Sequence, residues 1–150
     1  MFYYDSMHDL IGNTPLVKLN NICENKSVKI FAKLELYNPS GSVKDRTGKY
    51  MIEDAERKGI LKKGSTIVEA TAGNTGLGIA FCALNKGYKV IFVVPEKFSI
   101  EKQTLMMALG AEIVNTPREG GMLGAVAKAE EIKAQIPNSV SLGQFKNMSN

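Results

Sequence analysis

The sequence predicts an α/β fold in which parallel sheet strands are covered by helices on both faces. Two observations predict it. Short β-branched segments alternate along the chain with helical segments, and glycine or proline closes most of them. From residue 65 onwards, a strand, a tight glycine turn, a helix and a second strand follow one another within about thirty residues, as in a βαβ unit. A chain of 150 residues with 44% hydrophobic composition can bury a core of ordinary size.

The first predicted elements are a strand over 28–36 and a helix over 43–58. The strand segment alternates apolar and polar residues and ends at a turn-rich stretch. Ser42 is placed to cap the helix, with Asp45 three residues later in a capping-box arrangement, and Gly59 is expected to end it. Residues at three- and four-residue spacing predict the packing face, which consists of Val43, Thr47, Tyr50, Met51 and Ala55.

The rest of the chain is predicted to alternate three strands with three helices. The strand segments are rich in β-branched residues and cover 65–70, 89–95 and 111–116. The helical segments have the apolar spacing of helices, end near glycine or proline, and cover 77–86, 100–109 and 123–135. This alternation is typical of a parallel sheet, in which ligands bind beyond the carboxyl ends of the strands.

Lys44 lies in the segment NPSGSVKDR, residues 38–46, at the predicted start of a helix. The nucleotide-binding loop G-x-x-x-x-G-K-[ST] does not match, because Val43 precedes this lysine and Asp45 follows it. A lysine that forms a Schiff base must be neutral, and the positive end of a helix favours the neutral amine over the ammonium. The alternative interpretation is a solvated surface lysine, and the small residues around Lys44 argue against it.

The segment TAGNTG, residues 71–76, is predicted as a loop between a strand and a helix. With Gly78 its glycines are spaced G-x-x-G-x-G, the reverse of the dinucleotide fingerprint, although Glu96 follows at about the distance of a ribose-binding acid. Its polar side chains and free N–H groups suit a carboxylate or phenolic oxygen at least as well. A tight structural turn would also explain the glycines. Since the Lys44 loop also follows a predicted strand, both loops are expected at one sheet edge, lining one cleft.

Charge and cysteine content argue against several other classes of protein. The formal net charge of +4 comes from 19 basic residues scattered among 15 acidic ones, so no nucleic-acid surface is predicted. No signal peptide or membrane span is predicted, which indicates a cytoplasmic protein. Cys23 and Cys82 have no metal-ligand spacing, and Cys82 is expected to be buried. His8 is expected to be solvated or to act as a cap.

Five segments, in this order, resemble the cysteine synthase and cystathionine β-synthase family of pyridoxal-phosphate (PLP) enzymes, whose fold is shared with the tryptophan synthase β subunit. They are IGNTPLVKL at 11–19, AKLELYNPSGSVKDR at 32–46, EATAGNTGLGIA at 69–80, VVPEKFSIEKQ at 93–103 and LGAEIVNTP at 109–117. The resemblance implies the tryptophan synthase β-like fold, incomplete at the C-terminus. Residues 1–40 would belong to the larger PLP domain and 41–150 mainly to the smaller domain. The phosphate-binding loop is expected beyond residue 150.

The resemblance also implies roles for particular residues. Lys44 would carry PLP as a Schiff base and, once released, would remove the α-proton of the substrate as general base. Asn74 would hydrogen-bond the ring oxygen of the cofactor. Gln144 would lie near the loop that holds the substrate α-carboxylate. That loop consists of Thr71, Ala72, Gly73, Asn74 and Thr75.

The implied reaction is β-replacement on an O-activated L-serine such as O-acetylserine, by sulfide or by the thiol homocysteine, giving cysteine or cystathionine. TAGNTG and PEKFSIEK resemble most the bacterial subgroup that makes cystathionine from O-acetylserine. A homodimer is implied for the full-length protein. A noncatalytic nucleotide- or amino-acid-binding module is the alternative from another class, and an inactive, poorly soluble truncated product is the expectation for the chain alone.

Overall fold

The computed structural model describes residues 1–25, 27–144 and 146–150. Its strands are β1 (Leu16–Leu19), β2 (Ile30–Lys33), β3 (Thr66–Ala70), β4 (Lys89–Pro95), β5 (Glu112–Thr116) and β6 (Ser139–Val140). Its α-helices are α1 (Lys44–Arg57), α2 (Asn74–Ala83), α3 (Ile100–Ala108) and α4 (Gly121–Gln135). Short 3-10 helices cover Met7–Leu10, Glu35–Tyr37 and Arg118–Gly120.

The predicted parallel sheet is confirmed, with four strands in the order β5-β4-β3-β6. Alternate residues of β3 and β4 point to opposite faces, so each face has its own apolar cluster. Val68 and Val93 pack with Ala125 of α4 on one face. Ile67 and Phe92 belong to the cluster on the other face, which includes residues of α1, α2 and α3. The helices therefore lie on both faces, as predicted.

The segment before residue 40 is built differently from the prediction. The strand predicted over 28–36 is only β2, Ile30–Lys33, and the 3-10 helix Glu35–Tyr37 replaces its end. β2 pairs antiparallel with β1, a strand that was not predicted, in a separate two-stranded sheet. The loop before α1 therefore does not follow a strand of the parallel sheet. The expectation that both glycine-rich loops lie at one sheet edge is wrong.

The start of α1 also differs from the prediction. The helix begins at Lys44, and the Ser42 hydroxyl accepts a hydrogen bond from the Lys44 N–H at 3.2 Å. The predicted capping box is wrong, because the Asp45 carboxylate is used elsewhere: it accepts the N–H of Ser40 at 2.7 Å and also the Ser40 hydroxyl. Asp45 is fully buried, so this contact closes the loop before the helix from inside the protein.

The packing face of α1 is only partly the predicted one. Thr47, Met51 and Ala55 are buried as predicted, whereas Val43 and Tyr50 are exposed. The difference arises because the face that meets α2 is centred on a glycine, which a search for apolar side chains does not find. The C-terminal end near Gly59 is confirmed by its left-handed φ of 67°.

The later helices agree with the prediction to within a few residues. The helix predicted over 77–86 begins three residues earlier, at Asn74, and ends at Ala83. The Ser99 side chain accepts a hydrogen bond from the Lys102 N–H, as expected of the cap of α3. His8 is a cap, as expected: its Nε2 donates to the carbonyl oxygen of Phe81, in the last turn of α2, at 2.9 Å.

Helices α1 and α2 touch each other through two glycines. A Cβ atom at Gly78 would lie 2.3 Å from the carbonyl oxygen of Lys44, and a Cβ atom at Gly48 would lie 2.5 Å from the carbonyl group of Gly78. Real side chains do not approach this closely, so only glycine permits the observed contact. It holds the backbone of Lys44 directly against α2.

Candidate functional site

Lys44 is placed by the loop before α1 and by α2. Its side chain is half-buried at the first residue of α1, and its backbone contacts Gly78. Asn74 begins α2 and lies four residues before Gly78, so both residues are on one face of that helix. The contact with the backbone of Lys44 therefore lies about one helical turn, about 6 Å along the axis, from the start of α2. The two predicted cofactor residues are brought together by helix packing rather than by a shared sheet edge.

A cluster around Arg46 fixes the other side of the lysine loop. The guanidinium of Arg46 binds both carboxylate oxygens of Glu35, at 2.8 and 2.9 Å, and donates to the carbonyl oxygen of Gly12 at 2.9 Å. Asn38 donates to the Glu35 carboxylate at 2.8 Å and accepts the Gly12 N–H at 2.9 Å. One hydrogen-bond network next to Lys44 thus joins two segments that are separate motifs in the sequence, 11–19 and 38–46.

This network makes stability depend on pH through Glu35. The pKa of Glu35 is lowered from 4.5 to about 2, and the hydrogen bond from Arg46 is the main cause. A carboxylate with a lowered pKa stabilises the folded state above its unfolded pKa, and that contribution is lost as the pH falls from about 4.5 to about 2. We therefore expect the difference in unfolding free energy between the wild type and Glu35→Gln to be largest above pH 5 and to shrink towards pH 2. Urea unfolding across this range measures it.

The exposed Glu119 supplies a matched control for that experiment. Glu119→Gln is expected to follow the wild-type pH dependence. A difference between wild type and Glu35→Gln that stays constant from pH 6 to pH 2 would contradict the role given to Glu35.

A cleft of about 380 Å³ opens at the carboxyl end of β3. Four of the five predicted substrate-loop residues line it, namely Thr71, Ala72, Gly73 and Thr75, and so does Gln144. Phe98, Lys102 and Met122 complete the lining. Lys44 and Asn74 are not among the lining residues. The structure therefore gathers the predicted substrate residues in one cleft, with Asn74 at the first residue of the helix that leads out of the loop.

Gln144 is held in the cleft wall by main-chain contacts. Its side-chain Nε2 donates to the carbonyl oxygen of Ala70 at 2.9 Å, and its own N–H donates to the Glu69 carboxylate at 3.1 Å. One Nε2 proton is committed to Ala70, which leaves the second proton and the amide oxygen for a ligand.

Glu69 organises this part of the cleft, and the sequence reasoning missed it. The carboxylate is 4% exposed and accepts the hydroxyl of Ser141 and the N–H groups of Leu142 and Gly143, in addition to that of Gln144. Three backbone donors and one hydroxyl around a carboxylate satisfy its lone pairs inside the protein. The available signal was a charged residue, the only one in the buried strand TIVEA.

Glu69→Gln is expected to loosen the turn over 141–144. A carboxamide offers one acceptor oxygen and places an NH₂ donor against groups that are themselves donors. Leaving buried donors unpaired predicts a loss of about 1–3 kcal/mol in the unfolding free energy. Chemical denaturation measures this loss, with Glu112→Gln on the exposed end of β5 as control. An unchanged unfolding free energy for Glu69→Gln would contradict the role of this carboxylate.

Neither Cys23 nor Cys82 forms a disulfide. Both cysteines are free, and Cys82 is buried as expected; burial is the main reason that the pKa of its thiol rises to about 12. Among residues 1–25, 27–144 and 146–150, no group of three or more His, Cys, Asp or Glu residues is arranged to hold a metal ion. In the same part of the chain, each helix is too short or too polar to cross a bilayer.

Comparison with known proteins identifies the class to which this arrangement belongs. The model of a family described as pyridoxal-phosphate dependent enzymes matches residues 7–150. The chain is 53% identical over 142 residues to the O-acetylserine dependent cystathionine beta-synthase of Bacillus subtilis, covering 95% of this chain and 46% of that protein. It is 55% identical over 142 residues to the cysteine synthase of a Flavobacterium species, with the same coverage.

Solved structures give the same result for the fold. The crystal structure of the O-acetylserine dependent cystathionine beta-synthase from Helicobacter pylori matches with a TM-score of 0.87 and 45% identity, covering 99% of this chain and 49% of that one. The predicted fold class is confirmed by this match. The chain spans about half the length of the relatives it matches.

Proposed function

Because this chain belongs to the family of pyridoxal-phosphate dependent enzymes, we propose that it forms the lysine- and substrate-binding part of a β-replacement enzyme. The substrate would be an O-activated L-serine such as O-acetylserine, and the incoming nucleophile sulfide or homocysteine. The names of the relatives support this reaction: one is an O-acetylserine dependent cystathionine beta-synthase and another a cysteine synthase. The products would be cystathionine or cysteine.

The single observation that carries the proposal is the contact between Lys44 and α2. It sets the lysine one helical turn from Asn74, at the start of the helix that follows the substrate loop. A Cβ atom at Gly73 would meet no other atom within 4 Å, so the loop leaves open space for a bound group. With this space beside Gly73, the residues present would fit PLP, with Lys44 to bond its aldehyde carbon and Asn74 to donate to its ring oxygen.

Bound PLP supplies an electron sink for the carbanion formed when the substrate loses its α-proton. The other contributions would come from this chain. Once the substrate amine has replaced it at the aldehyde carbon, the amine of Lys44 would be released and would take the α-proton, which requires it to lie within hydrogen-bond reach of that proton. The backbone N–H groups of residues 72–75, at the N-terminal end of α2, would bind the substrate carboxylate, since the N–H of Thr71 already donates to the carbonyl oxygen of Val93. The free Nε2 proton of Gln144 would add a donor to the same carboxylate.

Further parts of the proposal concern the complete protein. Residues 1–40 would belong to a larger domain and 41–150 mainly to a smaller one, since β1 and β2 pair only with each other among the described strands. The phosphate-binding loop would come from the remainder of the larger domain. We place the enzyme in the cytoplasm, as a homodimer. The family assignment argues against a noncatalytic nucleotide-binding module.

Product analysis of the complete PLP-loaded protein tests the proposed reaction. With O-acetylserine and sulfide we expect cysteine, and with O-acetylserine and homocysteine we expect cystathionine, each detected by mass spectrometry. The ratio of kcat/KM for the two thiols identifies the preferred one. Formation of neither product would contradict the proposal.

A further inference from the structure

Lys102 lies opposite the start of α2, on the first turn of α3. Its backbone is fixed by Ser99, whose hydroxyl accepts the Lys102 N–H at 3.2 Å. Its side chain lines the cleft of the substrate loop and is half-buried there. The ammonium donates to Oδ1 of Asn74 at 2.9 Å. The function proposed above gives Lys102 no role, although it touches a residue proposed to bind the cofactor.

This hydrogen bond determines which way the Asn74 amide faces. An ammonium has three donors and no acceptor, so the amide atom next to it must be the carbonyl oxygen. The NH₂ group of Asn74 consequently points away from Lys102, on the other side of the Cβ–Cγ bond from Oδ1. Asn74 is exposed, and among the described residues its side chain makes a single hydrogen bond, the one from Lys102. Without Lys102 the amide would be free to turn by half a rotation.

We propose that Lys102 is a positioning residue that holds the Asn74 amide with its NH₂ group directed at the ring oxygen of PLP. The inference rests on the proposed function, in which Asn74 donates to that oxygen. A reversed amide would present its own oxygen to the ring oxygen, two acceptors without a proton between them. The positive charge on Lys102 also polarises the amide, which strengthens the hydrogen bond that its NH₂ donates.

The test uses the complete PLP-loaded protein and three variants. Lys102→Met keeps the length of the side chain and removes the charge, and Lys102→Arg keeps the charge and the donors. Lys128→Met, on the exposed side of α4, is the control for loss of a lysine charge. Three quantities are measured for each: the pH midpoint at which the visible absorption of bound PLP changes, kcat, and the KM for O-acetylserine.

We expect Lys102→Met to raise that pH midpoint by about half a unit or more. The protonated form of the cofactor becomes more stable relative to the deprotonated form when the ring oxygen loses the hydrogen bond from Asn74. We expect kcat to fall about tenfold and the KM for O-acetylserine to change less than twofold. Lys102→Arg should keep the pH midpoint and kcat close to those of the wild type. Lys128→Met should match the wild type in all three quantities.

A wild-type midpoint in Lys102→Met would overturn the inference. So would a selective rise in KM, which would assign Lys102 to the substrate carboxylate. Failure of the proposed function is distinguishable from both results, since the unsubstituted protein would then lack the visible band, and the inference would fall with it.

Discussion

Replacing Lys44 with alanine is expected to reduce kcat/KM for β-replacement by about a thousandfold or more. The variant would lose both functions proposed for Lys44, the covalent bond to the cofactor aldehyde and the amine that takes the α-proton. General acid–base catalysis alone contributes about 10²–10⁴-fold. Steady-state rates of the complete protein with O-acetylserine and a thiol measure the effect, and the variant is also expected to lose the visible absorption of lysine-bound PLP.

Lys49 provides the matched control for this variant. It lies in the same helix and is also half-buried, but five residues later, so it faces away from Lys44. Lys49→Ala is expected to retain the visible absorption and to keep kcat/KM within a few-fold of the wild type. If Lys44→Ala and Lys49→Ala lost activity equally, with both retaining the absorption band, another lysine would have to carry the cofactor.

Replacing Gly78 with alanine is expected to have the largest effect on stability. The new methyl group would lie 2.3 Å from the carbonyl oxygen of Lys44, and both clashing groups are held by a helix. Overpacking of a core usually costs about 1–3 kcal/mol, and a clash between backbones cannot be relieved by turning a side chain. We therefore expect the unfolding free energy to fall by about 3 kcal/mol or more, as measured by chemical denaturation.

Gly124 in α4 is the control for the glycine substitution. A Cβ atom there would meet nothing within 4 Å. Gly124→Ala is expected to be neutral or to stabilise by up to about 1 kcal/mol, because alanine has the higher helix propensity. Equal unfolding free energies for Gly78→Ala and Gly124→Ala would contradict the close approach of α1 and α2.

The elements with strong local signals could be predicted from the sequence. β4 was predicted at its observed bounds, 89–95, since its β-branched run is closed by a proline. α3 was predicted from the Ser99 cap and from Gly110, which has a left-handed φ of 87°. In such segments the local preference and the tertiary fold agree.

The errors lie where a distant partner decides the structure. The 3-10 helix at Glu35 replaces the end of a predicted strand, and the Glu35 carboxylate there binds Arg46. Asp45 was assigned to Ser42 by spacing, yet it binds Ser40. The strand β1, which pairs with β2 away from the main sheet, was not predicted, because its four residues are largely exposed and form no apolar pattern.

The residues of the candidate site likewise fall into those that motifs predicted and those that only distant contacts reveal. The substrate loop and Gln144 could be proposed from motifs, and the structure gathers four of the loop residues with Gln144 around one cleft. The residues that hold the site could not be identified, because Glu69, Gly78 and Lys102 act through partners at least 28 residues away. Their assigned roles depend on contacts between elements, which motif spacing does not encode.

Peptide mapping of the PLP-loaded complete protein after borohydride reduction tests the central claim most directly. Reduction converts a lysine–PLP Schiff base into a stable secondary amine, so the modified lysine can be located by mass spectrometry. The structure predicts a single major adduct on Lys44, in the peptide that contains NPSGSVKDR. An adduct on a different lysine, or no adduct at all, would contradict it.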